Sequence, residues 1–172
     1  MEASPGATPW LDDREQHAWR SYLAVTRLLA AQLDRELQRD SALPHTYYEI
    51  LVRLSEAPDR SLRMSDLAAQ CDSSRSRLSH AVSRLAQTGW VRREECETDR
   101  RGAFAILTDE GFAALAAAAP AHVTSVRRHI FDRLSEAQVA ELTGICEAIL
   151  SGLRDTGAAD ECIGAAIPLV DH

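Results

Sequence analysis

Residues 64–108 of this 172-residue chain, MSDLAAQCDSSRSRLSHAVSRLAQTGWVRREECETDRRGAFAILT, contain the pattern that decides the fold. The first part, residues 65–70, suits a short helix that Ser65 caps. A tight polar turn follows at 71–73, and a second helix runs over 74–88. A short helix, a tight turn and a second helix in this order are typical of a helix-turn-helix unit.

The second helix, which Ser73 or Ser74 begins and Gly89 ends, has two chemically different faces. At 100° per residue one side collects the apolar residues Leu78, Ala81, Val82, Leu85 and Ala86. The other side and its amino-terminal edge offer hydrogen-bond donors and cations, as a major groove requires. We predict that the DNA-reading residues are Ser73, Ser74, Arg75, Ser76, Arg77, His80 and Arg84.

A change of period after Gly89 predicts a β-hairpin. Residues 90–94 and 103–107 suit strands, and the polar segment between them suits a loop. Arg100 and Arg101 lie at the tip, where they can enter an adjacent minor groove with its negative potential. Asp99 can accept a hydrogen bond from an arginine and orient the loop. We therefore include Asp99, Arg100 and Arg101 in the predicted interface.

The rest of the chain is predicted to be helical and to serve dimerisation. Thr108 caps a helix that is interrupted or bent near Pro120, and Ser135 with Gln138 forms a capping box for the last helix. The predicted fold is mainly α with a small β-hairpin wing. The predicted units are a mobile arm at 1–11, a dimerisation helix at 12–43, a winged helix-turn-helix at 44–108, dimerisation helices at 109–154 and a tail at 155–172.

The net charge of −7 is unevenly distributed along the chain. Between Arg60 and Phe104 nine Arg face six acidic residues, a balance of +3, so the remainder carries −10. A cationic middle between anionic ends is expected of a DNA-reading lobe on an acidic scaffold. The first ten residues do not resemble a signal peptide and no long apolar run is present, which predicts a cytoplasmic protein without a membrane partner.

The order and spacing of several degenerate motifs resemble the MarR family of winged-helix regulators. The resemblance rests on residues 78–89, on Trp90-Val91-Arg92-Arg93, on Asp99-Arg100-Arg101-Gly102, and on Leu107-Thr108 with Gly111. It extends over about residues 12–154 and implies a homodimer with intertwined terminal helices on a pseudo-palindromic operator, usually as a repressor. By the Asp-x-Arg wing pattern of that family, Arg101 is matched to minor-groove insertion and Asp99 to its support.

The resemblance also implies release from DNA by a small phenolic or aromatic ligand between the dimer helices and the winged domain. A cationic side chain beside aromatic rings can hold such an acid. The candidates on the first two helices are Trp10, His17, Trp19, Arg20, His45 and Tyr48. Thiol oxidation is the alternative, with Cys71 in the helix-turn-helix bend and Cys96 near the wing as candidates.

Other classes of function find little support in the sequence. The four cysteines lack metal-site spacing, and no catalytic or phosphate-loop motif appears. We therefore expect no enzyme activity, cofactor or metal. A winged domain that binds an acidic protein through its arginines remains the alternative to DNA binding, and the salt and sequence dependence of DNA binding separates the two.

Overall fold

The structure, a computed structural model, describes residues 8–96 and 99–155, without the side chains of residues 96, 99–101, 154 and 155. The helices and strands of this part are α1 (Asp13–Ser41), α2 (His45–Glu56), β1 (Ser61–Arg63), α3 (Met64–Gln70), α4 (Arg75–Gln87), β2 (Val91–Cys96), β3 (Asp99–Leu107), α5 (Asp109–His129) and α6 (Glu136–Asp155). Short 3-10 turns at Pro58–Arg60 and Phe131–Arg133 precede β1 and α6. The predicted mainly helical winged fold is confirmed.

Asp12 fixes the start of α1 through a capping box. Its carboxylate accepts hydrogen bonds from the backbone of Arg14 and Glu15 at 2.8 and 2.9 Å, and Glu15 accepts from Asp12 N in return. The buried residues of this 29-residue helix, Leu33, Glu36 and Leu37, all lie near its carboxyl end. The amino-terminal part therefore extends beyond the body of the chain.

The hydrophobic core lies where α2, α3, α4, the sheet and α5 meet. Five leucines and two β-branched residues there are 0–1% exposed: Ile50, Leu51, Leu54, Leu67, Leu78, Val82 and Leu85. Val91, Ala105 and Leu107 of the sheet and Leu115 and Ala118 of α5 complete the same cluster. This common core fixes the position of α4 relative to the sheet and to α5.

The sheet contains one more strand than the predicted hairpin. Its strands are antiparallel in the order β1-β3-β2, with Leu62 of β1 opposite Ala105 of β3. The chain enters β1 through Asp59 and Arg60, which both have left-handed backbone angles (φ 52° and 53°). Three residues are too few to show an alternating pattern, so the sequence contains no signal for β1.

Two details of the predicted helices differ from the structure. Ser65 does not cap α3, because the helix already begins at Met64 and the Ser65 hydroxyl donates to Asp66 at 2.9 Å instead. Of the interruption or bend predicted near Pro120, the interruption is absent, because α5 runs continuously from Asp109 to His129. Alanines favour the helix on both sides of the proline, and buried Leu115 and His122 hold both halves against the body of the chain.

A close joint connects the end of α4 to the start of α5. Gly89 has φ +79°, and the amides of Gly89 and Trp90 donate to Ala86 and Leu85, which is a Schellman motif. The hydroxyl of Thr108 lies 2.7 Å from Gly89 O and 3.1 Å from Trp90 O. Thr108 also caps α5, as predicted, by accepting from Gly111 N at 3.0 Å.

The last helix carries an exposed apolar seam. Its predicted capping box is present, since Ser135 N donates to Gln138 at 3.0 Å and Gln138 N donates to the Ser135 hydroxyl at 3.3 Å. The seam consists of Leu142, Ile145, Ile149 and Leu153, which are 39–58% exposed. None of the helices in the described ranges has both the length and the apolar character needed to cross a membrane.

Candidate nucleic-acid interface

The polar face of α4 is directed towards solvent and its apolar face is directed towards the core. Leu78, Val82 and Leu85 are at most 1% exposed and Ala81 is 8% exposed, whereas Ala86 is exposed, contrary to the expected apolar side. Ala86 lies at the margin of the buried side, where the helix surface is already in solvent. The exposed members of the predicted reading set are Ser74, Arg75, Ser76, Arg77, His80 and Arg84, and Ser73 is half-buried.

The turn between α3 and α4 fixes the direction of α4. Asp72 has φ 44°, and the amides of Asp72 and Ser73 donate to the carbonyls of Ala69 and Ala68 at 3.1 and 2.9 Å. Ser74 then caps α4 by accepting from Arg77 N at 3.3 Å. The first turn of α4 thus presents backbone N–H groups beside Arg75 and Ser76, an arrangement that favours an anion.

The wing is the hairpin of β2 and β3. Its register runs from Val91 opposite Leu107 to Glu95 opposite Ala103, with an irregularity before Cys96 pairs with Asp99. The backbone of residues 99–101 therefore belongs to β3, near the tip of the hairpin, whereas the sequence predicted a loop for these residues; both strands extend further towards the tip than predicted. The side chains of Cys96, Asp99, Arg100 and Arg101 lie outside the described residues, so their predicted roles remain predictions.

A cleft beside the wing is lined by residues of several elements, among them three arginines. It has a volume of about 430 Å³ and lies between α3, α4 and the hairpin. Its lining residues are Arg63, Met64, Ser65, Arg75, Ser79, Arg93, Gly102 and Ala103. In the sequence, Arg63 contributes only to the local charge, and Arg93 only to that charge and to the family resemblance. Their place beside the cleft depends on the unpredicted strand β1 and on the register of the sheet.

The ligand candidates on α1 lie on exposed surface. Trp10 is 88% exposed, the Trp19 ring stacks on Tyr22 at 6.0 Å, and Arg20 donates to Gln16 at 3.0 Å; His17 is also exposed. About 21 Å of helix separates Arg20 from Asp34, the α1 residue that accepts a hydrogen bond from the backbone of His45. Within one chain these α1 residues therefore do not share a site with the two α2 candidates.

The α2 candidates His45 and Tyr48 meet a residue that the sequence analysis did not select, His122 of α5. The His122 ring lies 4.6 Å from the Tyr48 ring and 5.7 Å from the His45 ring. His122 is 6% exposed, and its Nδ1 has no hydrogen-bond partner in the described part of the chain. Burial, with a smaller contribution from His45, lowers the pKa of His122, and burial raises the pKa of Tyr48.

An apolar groove follows the exposed side of α1. Its volume is about 820 Å³, and α1, the turn before α6 and α6 itself form its walls. The apolar lining residues are Ala24, Val25, Leu28, Leu29, Ile130, Leu134, Leu142 and Ile145. Val25 and Leu28 are 61% and 60% exposed, which leaves a large apolar surface on one chain without cover.

A buried carboxylate lies at the end of this groove. Glu36 is 4% exposed and its Oε1 lies 2.9 Å from Nε2 of His129 and 2.6 Å from Nε2 of Gln32. Hydrogen bonds from Ser125, then from His129 and Gln32, lower the pKa of Glu36 to about 2. The polar cluster connects α1 to α5 at the point where α1 leaves the body of the chain.

Of the two redox candidates, Cys71 is the one whose side chain the structure describes. Cys71 is half-buried at the end of α3 and packs against the core. Any modification of its thiol would therefore act on the turn before α4.

Comparisons with known proteins agree with this geometry. A sequence profile of the MarR family matches residues 43–102. Sco3205, a MarR family transcriptional regulator from Streptomyces coelicolor solved in complex with DNA, is 50% identical over 91% of this chain and 97% of its own, with a TM-score of 0.81. AbsC, another such regulator from Streptomyces coelicolor, is 48% identical over 86% of this chain and 99% of its own, with a TM-score of 0.77.

A more distant relative has a name that states its action. The transcriptional repressor MprA of Escherichia coli K12 is 25% identical over 118 residues, and the match spans 69% of this chain and 66% of MprA. The high identity to Sco3205 and AbsC over almost their whole length, together with the shared fold, shows the family. This chain belongs to the MarR family of winged helix-turn-helix transcriptional regulators.

Proposed function

We propose that this chain acts in the cytoplasm as a homodimeric, sequence-specific repressor of transcription that leaves its operator when a small aromatic or phenolic ligand binds. The observation that carries DNA binding is the exposed, arginine-bearing face of α4, whose opposite face is buried in the core. Two relatives support the proposal, because Sco3205 has been solved in complex with DNA and MprA is a repressor.

In the proposed complex α4 lies in the major groove. Arg77 and Arg84 face guanine acceptors, and His80 with the serines faces neighbouring base edges or phosphates. Within the described residues the side chains of Arg77 and His80 make no hydrogen bond or ion pair, so neither side chain has to leave a partner before it binds DNA. Arg101 enters the adjacent minor groove, and Asp99 orients it.

Replacing Arg77 or His80 with alanine is expected to change base preference, and replacing Arg101 is expected to weaken minor-groove binding. Each lost contact should cost about 1–3 kcal/mol, or roughly 5- to 150-fold in Kd. Fluorescence anisotropy with an operator duplex and a set of single-base variants measures both effects. Arg14→Ala, on the exposed start of α1, is the control.

Two outcomes would contradict this assignment. Unchanged operator affinity in all three variants would rule out the assigned reading face. Binding of the wild-type protein that neither weakens with salt nor depends on base sequence would instead favour a protein-interaction module, because binding to phosphates releases counterions.

The proposed dimer uses the apolar surfaces that a single chain leaves uncovered. These surfaces are the exposed seam of α6 and the groove beside Val25 and Leu28 of α1. Burying apolar surface contributes about 25 cal/mol for each Å². A two-fold pair in which α1 and α6 of each chain cover those of the other would remove both surfaces from water.

Placing a charge in this seam is expected to separate the dimer. Ile145→Glu puts a carboxylate where Ile145 is 58% exposed in one chain and would be buried in the pair. Light scattering after size exclusion should give twice the chain mass for the wild-type protein and one chain mass for the variant. Ala140→Glu, an exposed position on the opposite side of α6, should remain dimeric. A wild-type protein of one chain mass at micromolar concentration would refute the dimer.

We propose that the ligand binds beside His45 and Tyr48. Two aromatic rings and the unpartnered Nδ1 of His122 suit an aromatic acid or phenol. These residues lie where α2 of the winged domain contacts α5. Release of a labelled operator by a panel of aromatic acids should be lost in His45→Gln and Tyr48→Phe, while DNA affinity without ligand is unchanged. Dependence on His17, Trp19 or Arg20 would move the site to α1. Release by peroxide that is lost in Cys71→Ser or Cys96→Ser would replace the ligand with thiol control.

A further inference from the structure

A buried charge lies among the few residues that attach α1 to the rest of the chain. The buried residues of α1 are Leu33, Glu36 and Leu37. Glu36 is 4% exposed, and its pKa of about 2 keeps it an anion at neutral pH. Taking a carboxylate out of water is costly, and apolar residues of similar volume often give equal or higher stability in place of a buried ionic group. The carboxylate therefore needs an explanation other than stability.

The carboxylate of Glu36 fixes a direction because its partners come from two helices. Its Oε1 lies 2.6 Å from Nε2 of Gln32 on α1 and 2.9 Å from Nε2 of His129 on α5. Ser125 of α5 is a further hydrogen-bond donor, and Nη1 of Arg128 lies 3.9 Å away. Hydrogen bonds weaken when their distance or angle changes, whereas apolar contacts have no preferred direction. These five residues, which form the Glu36 cluster, thus hold α1 at one angle to α5.

The Glu36 cluster lies between the surface that forms the proposed dimer and the helix that reads DNA. On one side, α1 continues to Val25 and Leu28, which the proposed dimer covers with the second chain. On the other side, α5 leads back to Thr108, whose hydroxyl lies 2.7 Å from Gly89 O at the end of α4. The angle at the cluster therefore determines where the second chain and its α4 lie relative to the first α4.

The length of α1 converts a change of this angle into a change of base-pair register. About 17 Å of helix separates Val25 from Glu36. A rotation of about 12° at the cluster moves Val25 by about 3.4 Å, which is the rise of one base pair. A dimer of this kind reads two half-sites whose separation matches the distance between its two recognition helices. The angle between α1 and α5 is thus a determinant of operator spacing.

We propose that the Glu36 cluster selects the spacing of the two operator half-sites by fixing the angle between α1 and α5. The inference rests on the proposed homodimer and on the proposed DNA binding. Glu36 is a positioning residue, because it is buried and acts on DNA only through the directions of two helices. Without its carboxylate each α4 still forms and still reads one half-site, but the distance between the two α4 helices varies.

The test compares operators whose half-sites are moved one or two base pairs closer together or further apart. Fluorescence anisotropy gives the Kd of each duplex and of a duplex with a single half-site. The wild-type protein is expected to bind one spacing at least about 10-fold more tightly than its neighbours, because the other duplexes have to bend or twist to meet both α4 helices. Glu36→Leu is expected to reduce this ratio to below about 3-fold, with unchanged affinity for the single half-site.

Two further variants accompany Glu36→Leu. Arg39→Leu replaces a charged side chain on the exposed side of the same helix and should keep the wild-type ratio. Glu36→Gln keeps a hydrogen-bond acceptor for His129 and should keep more of the ratio than leucine does. The glutamine variant also carries the test if the leucine variant does not fold. Light scattering should give twice the chain mass for all three variants.

A measurement without DNA separates this inference from the proposed function. Spin labels at Ser83→Cys, an exposed position of α4, report the distance between the two α4 helices by pulsed EPR once the four native cysteines are replaced with alanine. The distance distribution should be narrow with Glu36 or with Arg39→Leu, and should broaden or shift with Glu36→Leu.

Three results would overturn the inference. They are a spacing ratio or a distance distribution that Glu36→Leu leaves unchanged, a loss of affinity for the single half-site equal to the loss for the full operator, and a Glu36→Leu variant of one chain mass. If the wild-type protein binds no duplex but the labels show the expected broadening, the proposed DNA binding fails and the positioning role stands. A wild-type protein of one chain mass would refute both.

Discussion

Gly111→Ala is expected to destabilise the protein more than any other small substitution outside the central core. An added Cβ at Gly111 would lie 2.1 Å from the carbonyl oxygen of Trp90 and 2.8 Å from Cδ1 of Leu107. The first of these is a backbone atom that Thr108 also holds through its amide and hydroxyl, so it cannot move without opening the joint between α4 and α5. Overpacking typically costs about 1–3 kcal/mol, and we expect at least the upper value here.

A cost of about 3 kcal/mol corresponds to a melting temperature lower by roughly 6–12 °C for a chain of this size. Gly144→Ala is the matched control, because nothing lies within 4 Å of an added Cβ at that exposed position of α6. Alanine there should keep or raise the melting temperature, since glycine is the weaker helix former by about 1 kcal/mol. If the two variants have the same melting temperature, the close contact between α5 and Trp90 is not present in solution.

Acid is expected to lower the free energy of unfolding in two separate pH ranges. The pKa of buried His122 is lowered below 6.5, so the unfolded chain binds this proton first and stability falls as the pH decreases through 6.5. The pKa of Glu36 is lowered from 4.5 to about 2, so its contribution is complete above pH 4.5 and is lost between 4.5 and about 2. Tyr48 and His45 lie against His122. Gln32, Ser125, Arg128 and His129 surround Glu36.

Urea midpoints above pH 6.5, between 6.5 and 4.5, and below 4.5 separate the two steps. His122→Phe keeps a ring against Tyr48 and should remove only the first decrease, and Glu36→Gln should remove only the second. Glu147→Gln, at an exposed position of α6, should retain both decreases. A proton NMR titration in which the His122 ring protonates at or above 6.5 in the folded protein would refute the first step.

Much of the fold could be predicted because local chemistry determines it. Each helix end is fixed by side chains or a glycine within a few residues of it, so the sequence shows these signals directly. They are the caps at Ser74 and Thr108, Gly89, and the capping box at Ser135. The face of α4 was equally predictable, since its apolar residues follow the helical period. Only Ala86, at the margin of the buried side, was assigned to the wrong environment.

The features that could not be predicted depend on contacts between distant residues. Strand β1 forms because β3 has an edge with which it can pair, and because a left-handed turn at Asp59 and Arg60 directs the chain to that edge. A three-residue strand has no sequence pattern of its own. The same is true of the site. The serines and arginines of α4 are neighbours in sequence, whereas Arg63, Arg93 and His122 reach their places beside other elements only after the sheet and α5 are in place.

The direct attachment of α4 to α5 has a mechanical consequence. Thr108 joins the end of α4 to the first turn of α5 through hydrogen bonds to Gly89 and Gly111, so a tilt of α5 is transmitted to α4 at this joint. The 21 residues of α5 span about 31 Å, and a tilt of about 10° moves one end by about 5 Å relative to the other. That displacement is a large fraction of a major groove about 12 Å wide. In the proposed homodimer, a ligand that rotated α5 by only a few degrees would move the two symmetric α4 helices out of their fit to one duplex.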